Sequence, residues 1–210
     1  GMAPHHAIDG ALRVGVIGLG FFIRRHARIY AAEPAARLVA VCDADAALCH
    51  EVAEETGAAP HTDLEEMLAR GDLDAVSICL PDRLHEAAAV AAARTVPAIL
   101  LEKPLAHETA AARRIVDAVE TSGARLMVGH ILRFDPRYDQ VHRAAAPERL
   151  GEVIHVRAER TGIRSTAARL GADSSILFYM GVHDVDAMQW VARSRIAEVY
   201  ARKRELLGHG

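Results

Sequence analysis

Short, continuously apolar runs set the fold of the first 130 residues. "LRVGVI" (12–17), "RLVAVCD" (37–43), "DAVSICL" (74–80), "AILLE" (98–102) and "RLMVGH" (125–130) are each of strand length and do not alternate with polar residues. A strand that is apolar on every side chain is covered on both faces, which is the condition of a parallel sheet. Longer amphipathic or alanine-rich segments lie between the runs, at about 21–32, 44–56 before Gly57, 84–95, and 107–122 before Gly123. Thr62 and Glu65 have capping-box spacing and predict a short helix through Arg70. This strand–helix alternation predicts an α/β domain with a doubly wound parallel sheet over residues 11–129.

The texture changes after His130. "GEVIHVRAERTG" (151–162) alternates wet and dry positions, the mark of an antiparallel strand with one face in solvent. A helix is expected over about 175–192 and another strand-like stretch over 197–206. A second, truncated α+β domain with an antiparallel sheet is therefore expected over 130–210. Residues 1–10, with Gly1 ahead of Met2, read as a disordered start left by a tag. Trp190 is expected to serve core packing.

Composition excludes several classes. Of 210 residues, 51% are apolar and 25% charged, and no apolar stretch is long enough for a membrane helix. A net charge of −3 argues against a nucleic-acid partner. Cys42, Cys49 and Cys79 form no Cys-x-x-Cys pair, which reads as a reduced, cytoplasmic protein without a leader. The 12 histidines are scattered, so no metal site is expected.

Gly18-Leu19-Gly20 follows the first run and opens a helix. Gly18 permits a tight turn, Gly20 lets backbone approach a pyrophosphate, and the helix N-terminus offers free N–H groups. Phe21 and Phe22 follow in the same turn and join the expected cofactor-binding residues. The third glycine of the fingerprint is replaced by Ile23, and a purely structural turn is the rival reading. Asp43 ends the second run, where an acidic residue accepts hydrogen bonds from ribose hydroxyls. Ala44 offers nothing to a 2′-phosphate, so NAD is favoured, with NADP as the alternative. The rival reading of Asp43 is a cap on the next helix.

"ILLEKPLA" (99–106) runs an apolar strand into Glu102, Lys103 and Pro104. Lys103 and Lys203 are the only lysines in a chain with 25 cationic residues. Lysine can lose a proton where arginine cannot. At the carboxyl end of a doubly wound strand, its ammonium would face the ligand crevice. Like charge and burial both depress a lysine pKa, which suits proton transfer. A surface ion pair is the alternative.

"SICLPDRLHEAAA" (77–89), "LLEKPLA" (100–106), "MVGHILRFDPRY" (127–138) and "GVHDVDAMQW" (181–190) occur in that order after the glycine turn. Together they resemble the glucose–fructose oxidoreductase/inositol dehydrogenase (Gfo/Idh/MocA) family, from about Leu12 onward. The resemblance implies a Rossmann domain followed by an open antiparallel-sheet domain. It implies an NAD(P)-dependent dehydrogenase or reductase acting on a sugar, polyol or related compound, with the substrate between the domains. It assigns Lys103 and His183 to the reacting hydroxyl, and Glu102 to holding the cofactor or orienting Lys103. Pro104 fixes the backbone, a cis bond being one way. Pro81, Asp82 and His85 would lie along the nicotinamide ribose, helix capping being the rival for His85. His130 and Arg133 would line the substrate cleft, Arg133 serving equally well as a structural tether.

The family pattern carries an aspartate four residues before the histidine, and here that position is Tyr179. Residues four apart share a helix face, but a phenol is a far weaker acid than a carboxylic acid. Tyr179 replaces the aspartate in a relay, or Lys103 and His183 suffice, or catalysis is impaired. Asp186 would orient His183 or serve a cap or ion pair. Arg164 and Arg169 would meet an acidic substrate or lie in a solvated loop. Family members run on by more than a hundred residues, so an uncovered sheet face and a homo-oligomer are expected. The other functions left open are a cofactor-binding sensor or partner subunit without turnover, and an NAD-assisted glycoside hydrolase.

Overall fold

The computed structural model describes residues 10–20, 24–162 and 175–202. The chain divides into two units, Gly1–Gly129 and His130–Gly210, and each is described by itself.

In the first unit one sheet is built from β1 (Leu12–Ile17), β2 (Ala36–Cys42), β3 (Ala59–His61), β4 (Ala75–Ile78), β5 (Ala98–Leu101) and β6 (Arg125–Val128). Every neighbouring pair is parallel, in the order β3-β2-β1-β4-β5-β6. The winding reverses between β1 and β4, which opens a crevice beyond the carboxyl ends of those strands. Successive side chains of a strand point to opposite faces, and the core follows this except at Val39, where an irregularity in the β1–β2 register puts Leu38 and Ala40 on opposite faces. Ile17, Ala40, Cys42, Val76 and Ile78 pack with residues of α3 (Leu64–Leu68), α4 (His85–Ala93) and α5 (Thr109–Ser122). Val16, Leu38 and Val41 pack on the other face with Ala27 of α1 (Arg24–Ala32) and with Cys49 and Val52 of α2 (Ala46–Thr56). All three cysteines are free and buried.

Several helix ends are set by identifiable local chemistry. Asp45 caps α2 by accepting from the Ala47 and Leu48 N–H groups. Gly123 stops α5 in the left-handed region, at φ 75°. The capping box expected at Thr62 and Glu65 is not the one used. Asp63 is the N-cap of α3 and accepts from the Glu66 N–H at 2.8 Å, because its carboxylate is the stronger acceptor beside Thr62. The sequence also gave no sign of β3, which is three residues long and contains Pro60.

The second unit holds a 3₁₀ turn (Ile131–Phe134), α6 (Pro136–Ala144), α7 (Pro147–Leu150), a π-helical turn (Leu177–Gly181) and α8 (Val182–Ala192). The expected strands at 151–162 and 197–206 are not formed among the described residues, since neither 151–162 nor 195–202 is in a ladder. Alternation decides which face of a strand turns to water, but a strand also needs a hydrogen-bonded neighbour. Residues 203–206 of the second stretch lie outside the described residues. No helix among the described residues is long and apolar enough to cross a membrane.

α4 buries Ala88, Ala89, Ala91, Ala92 and Ala93, so its backbone packs closely against the sheet and α5. Ala89 is fully buried. Ala89→Leu should lower stability by about 1–3 kcal/mol through overpacking, measured by urea unfolding followed by circular dichroism. An unchanged midpoint would contradict this packing.

Candidate active site

The residues singled out from the sequence fall into two groups, one on each unit. In the first unit they collect at the carboxyl ends of β1, β2, β4 and β5. Gly18 leaves β1 at φ 89°, and its N–H donates to the Cys42 carbonyl at 2.8 Å. A Cβ on Gly18 would stand 2.6 Å from the Cys79 carbonyl oxygen, so only glycine fits where β1 and β4 converge. Leu19 drops into the core between the two glycines, fully buried. Its N–H donates to Asp43 Oδ2 at 2.7 Å. The Gly20 carbonyl accepts from the Arg24 N–H at 3.2 Å, where α1 begins. Phe21, Phe22 and Ile23 lie outside the described residues.

Asp43 is half-buried at the end of β2. Its Oδ1 accepts from the Asp45 N–H at 3.0 Å. Asp43 therefore braces the glycine turn with one oxygen and the entry to α2 with the other. The cap of α2 itself is Asp45, not Asp43.

Pro81 is exposed, and half-buried Asp82 opens a 3₁₀ turn, Asp82–Leu84. His85, expected along the cofactor or as a helix cap, is the first residue of α4, and its backbone N–H closes the preceding 3₁₀ turn on the Asp82 carbonyl. It is 1% exposed, with Nδ1 2.8 Å from the Pro104 carbonyl oxygen and Nε2 2.7 Å from that of Leu80. Its ring thus straps the loop after β4 to the loop after β5, and neither nitrogen remains for a ligand.

Glu102 and Lys103 follow β5, and the Lys103–Pro104 peptide is cis. Glu102 Oε2 accepts from the Lys103 backbone N–H at 3.1 Å. The Lys103 side chain is half-buried. Burial pushes its pKa down, and this outweighs the nearby Glu102 and Asp82 carboxylates, which push it up. Sequence reasoning missed a neighbour on α1: His26 Nε2 is 3.3 Å from Glu102 Oε1, and its Nδ1 is 3.0 Å from Ser77 Oγ. A single histidine on a helix carries no spacing signal that could have found it. Among the described residues no group of three or more His, Cys, Asp or Glu side chains is placed to hold a metal ion.

In the second unit, Arg133 makes a two-pronged pair with buried Asp186, Nε to Oδ2 at 2.9 Å and a terminal nitrogen to Oδ1 at 2.6 Å. The guanidinium also lies over the Trp190 ring, 5.9 Å from its centroid, and Asp186 pushes the Arg133 pKa up. The pair ties the 3₁₀ turn that carries Arg133 to α8, which carries Asp186. His130 Nδ1 is 3.7 Å from the same carboxylate. Trp190 is half-buried and stacks on His142 at 4.3 Å, so it is less a core residue than expected. Asp184 holds Arg160 through two contacts of 2.7 Å.

His183 is half-buried in the first turn of α8. Tyr179 lies in the π-helical turn just before it, a turn whose hydrogen bonds reach one residue further along the chain than those of an α-helix. Arg164 and Arg169 lie outside the described residues.

Residues 12–130 match the family model described as the oxidoreductase family with an NAD-binding Rossmann fold, and residues 138–209 match the GFO/IDH/MocA C-terminal domain. The chain belongs to the Gfo/Idh/MocA oxidoreductase family. It is 32% identical to the inositol 2-dehydrogenase of Rubrobacter xylanophilus, over 91% of this chain and 55% of that protein. It is 34% identical to inositol 2-dehydrogenase 1 of Saccharopolyspora erythraea, over 90% of this chain and 56% of the relative. A putative myo-inositol dehydrogenase from Sinorhizobium meliloti matches with a TM-score of 0.74 at 32% identity, over 87% of this chain and 56% of that one. The chain thus spans about half the length of the curated relatives it matches.

Trp190 is the sole tryptophan and lies in the second unit, so its fluorescence follows the unfolding of that unit. Asp186→Asn should destabilise the unit by about 1–3 kcal/mol, read as a lower urea midpoint of that signal, because it leaves Arg133 without its charged partner. An unmoved midpoint would show that the Arg133–Asp186 pair does not hold this unit together.

Proposed function

We propose that the chain binds NAD over the glycine turn and takes part in the reversible oxidation of a secondary alcohol on a sugar or polyol. The observation that carries this reading is the common location of Gly18 and Lys103 on one carboxyl edge of the sheet. The site fits a dinucleotide. Gly18 is held where a side chain cannot enter, and the Asp43 carboxylate lies beside the turn with no cation following it in the sequence. NAD is therefore the proposed cofactor over NADP. The likeness to inositol 2-dehydrogenases supports a polyol as the substrate class.

Oxidation of an alcohol releases a hydride from carbon and a proton from oxygen. When bound, the nicotinamide supplies the hydride acceptor. Lys103 takes the hydroxyl proton at Nζ, and partial burial keeps that amine able to do so. Glu102 and Asp82 hold its position and limit the fall in its basicity. His183 is assigned to the substrate hydroxyl by the family pattern, with Tyr179 in the place of the usual aspartate. Arg133 and His130 belong to the substrate side by the same pattern, although Arg133 is engaged by Asp186. The proposal also places the protein in the reduced cytoplasm, supported by three buried free cysteines. Self-association is supported by the exposed apolar side chains Ile154, Val199 and Tyr200 of the second unit.

Calorimetric titration should show binding of NAD and weaker binding of NADP. A screen of polyols and sugars should then show NADH formation, and Lys103→Met should reduce kcat/KM by about 10²–10⁴-fold. Lys103→Arg should be equally impaired, because arginine keeps the charge but cannot give up a proton. For oxidation the amine must be neutral, so kcat/KM should rise with pH and level off below the ordinary lysine value of 10.5. Full turnover by Lys103→Arg would overturn the proton-transfer role. NAD binding without turnover of any substrate would favour a sensor or partner subunit.

A further inference from the structure

Glu102 belongs to a polar cluster whose other members the reaction above leaves unused. His26 projects from α1 and meets Glu102 Oε1 at 3.3 Å and Ser77 Oγ at 3.0 Å. Ser77 is fully buried on β4, and its Oγ is 3.4 Å from buried Cys79 Sγ. The other oxygen of Glu102 accepts from the Lys103 N–H. At the end of β6, a Cβ on Gly129 would stand 3.2 Å from the Glu102 carboxylate, so glycine leaves that carboxylate its room. α1 is the helix that the phosphate-binding turn opens.

We propose that His26 is a positioning residue, which holds the Glu102 carboxylate from α1 and so couples the glycine turn to Lys103. For its catalytic meaning the inference rests on the dehydrogenase reading above. The physical logic is one of charge. Glu102 alone would stabilise the Lys103 ammonium and keep it protonated. An imidazolium on the far oxygen of that carboxylate offsets the effect and leaves the amine free to exchange its proton. The neighbourhood agrees. Cys79, then Glu102, push the His26 pKa up to about 10 against the cost of burial. His26 in turn pushes the Glu102 pKa down, against burial as the largest influence. The groups facing His26 are Ser77 from β4, Cys79 just past its end, and Glu102 from the loop after β5. Tyr30, one turn along α1, reaches Ser77, and Asp82 acts on Lys103.

Because His26 gains a proton on folding, its contribution to stability is complete below pH 6.5 and fades as pH rises towards 10. His26→Gln should remove that slope.

The direct test uses the scarcity of lysine. In 15N-lysine-labelled protein only Lys103 and Lys203 give side-chain amine signals, assigned with Lys203→Arg. His26→Gln should move the Lys103 titration midpoint up by about one pH unit while Lys203 stays fixed. His26→Arg, which keeps the positive charge, should restore it. In the unmutated protein, long-range 15N–1H spectra at pH 8 should show the His26 ring as imidazolium, a readout that does not depend on a variant folding. A Lys103 midpoint unmoved by His26→Gln, or a neutral His26 ring at pH 8, would overturn the proposal. Neither readout requires turnover. If the midpoint moves but no alcohol is oxidised, the coupling stands and the dehydrogenase reading fails.

Discussion

The first unit depends on one close approach of backbone to backbone. Gly18 leaves β1 against the carbonyl of Cys79 at the end of β4, with its own N–H bound to Cys42 at the end of β2. Three strand ends meet at this point, where the winding of the sheet reverses. A methyl group at Gly18 would force β1 and β4 apart. Beyond Gly18, the Arg24 N–H at the start of α1 donates back to the Gly20 carbonyl. Leu19 and Asp43 then fix the turn, one by burial and the other by a short hydrogen bond.

The chemistry of the site follows from what that edge gathers. β5 delivers Glu102 and Lys103 to the crevice, and His85 straps their loop to the one after β4. Lys103 sits between two opposed influences, a half-buried setting that disfavours its charge and two carboxylates that favour it. A cation on α1 that engages one of those carboxylates sets the balance. The second unit is organised by charge as well, with Asp186 and Asp184 each gripping an arginine in a two-pronged contact.

What was legible in the sequence had a repeating physical cause. β1, β2, β4 and β5 were readable because burial on both faces demands unbroken apolar runs, whereas β6 reads as a run but lies at the sheet edge with Arg125 and Met127 exposed. β3 was not readable, because three residues with a proline make no run. α6 carried a readable signal that went unused: Asp135 followed by Pro136 at its first position, with the aspartate accepting from the Arg137 N–H. The alternation at 151–162 was real, but pairing is a property of two segments and cannot be read from one. Lys103 stood out through its rarity among arginines. His26 did not, since its meaning comes from Glu102, which lies far along the chain and is brought near only by the fold. The strap that His85 makes was hidden for a related reason, because its two backbone partners are visible only in three dimensions.

The central claim is that the Gly18–Gly20 turn is a dinucleotide seat. Titration of NAD into the 15N-labelled protein, followed by amide NMR, tests it most directly. The account predicts that the Gly18, Leu19 and Gly20 amide signals move furthest and saturate together. Saturable binding that leaves those three signals in place, or no binding at all, would contradict it.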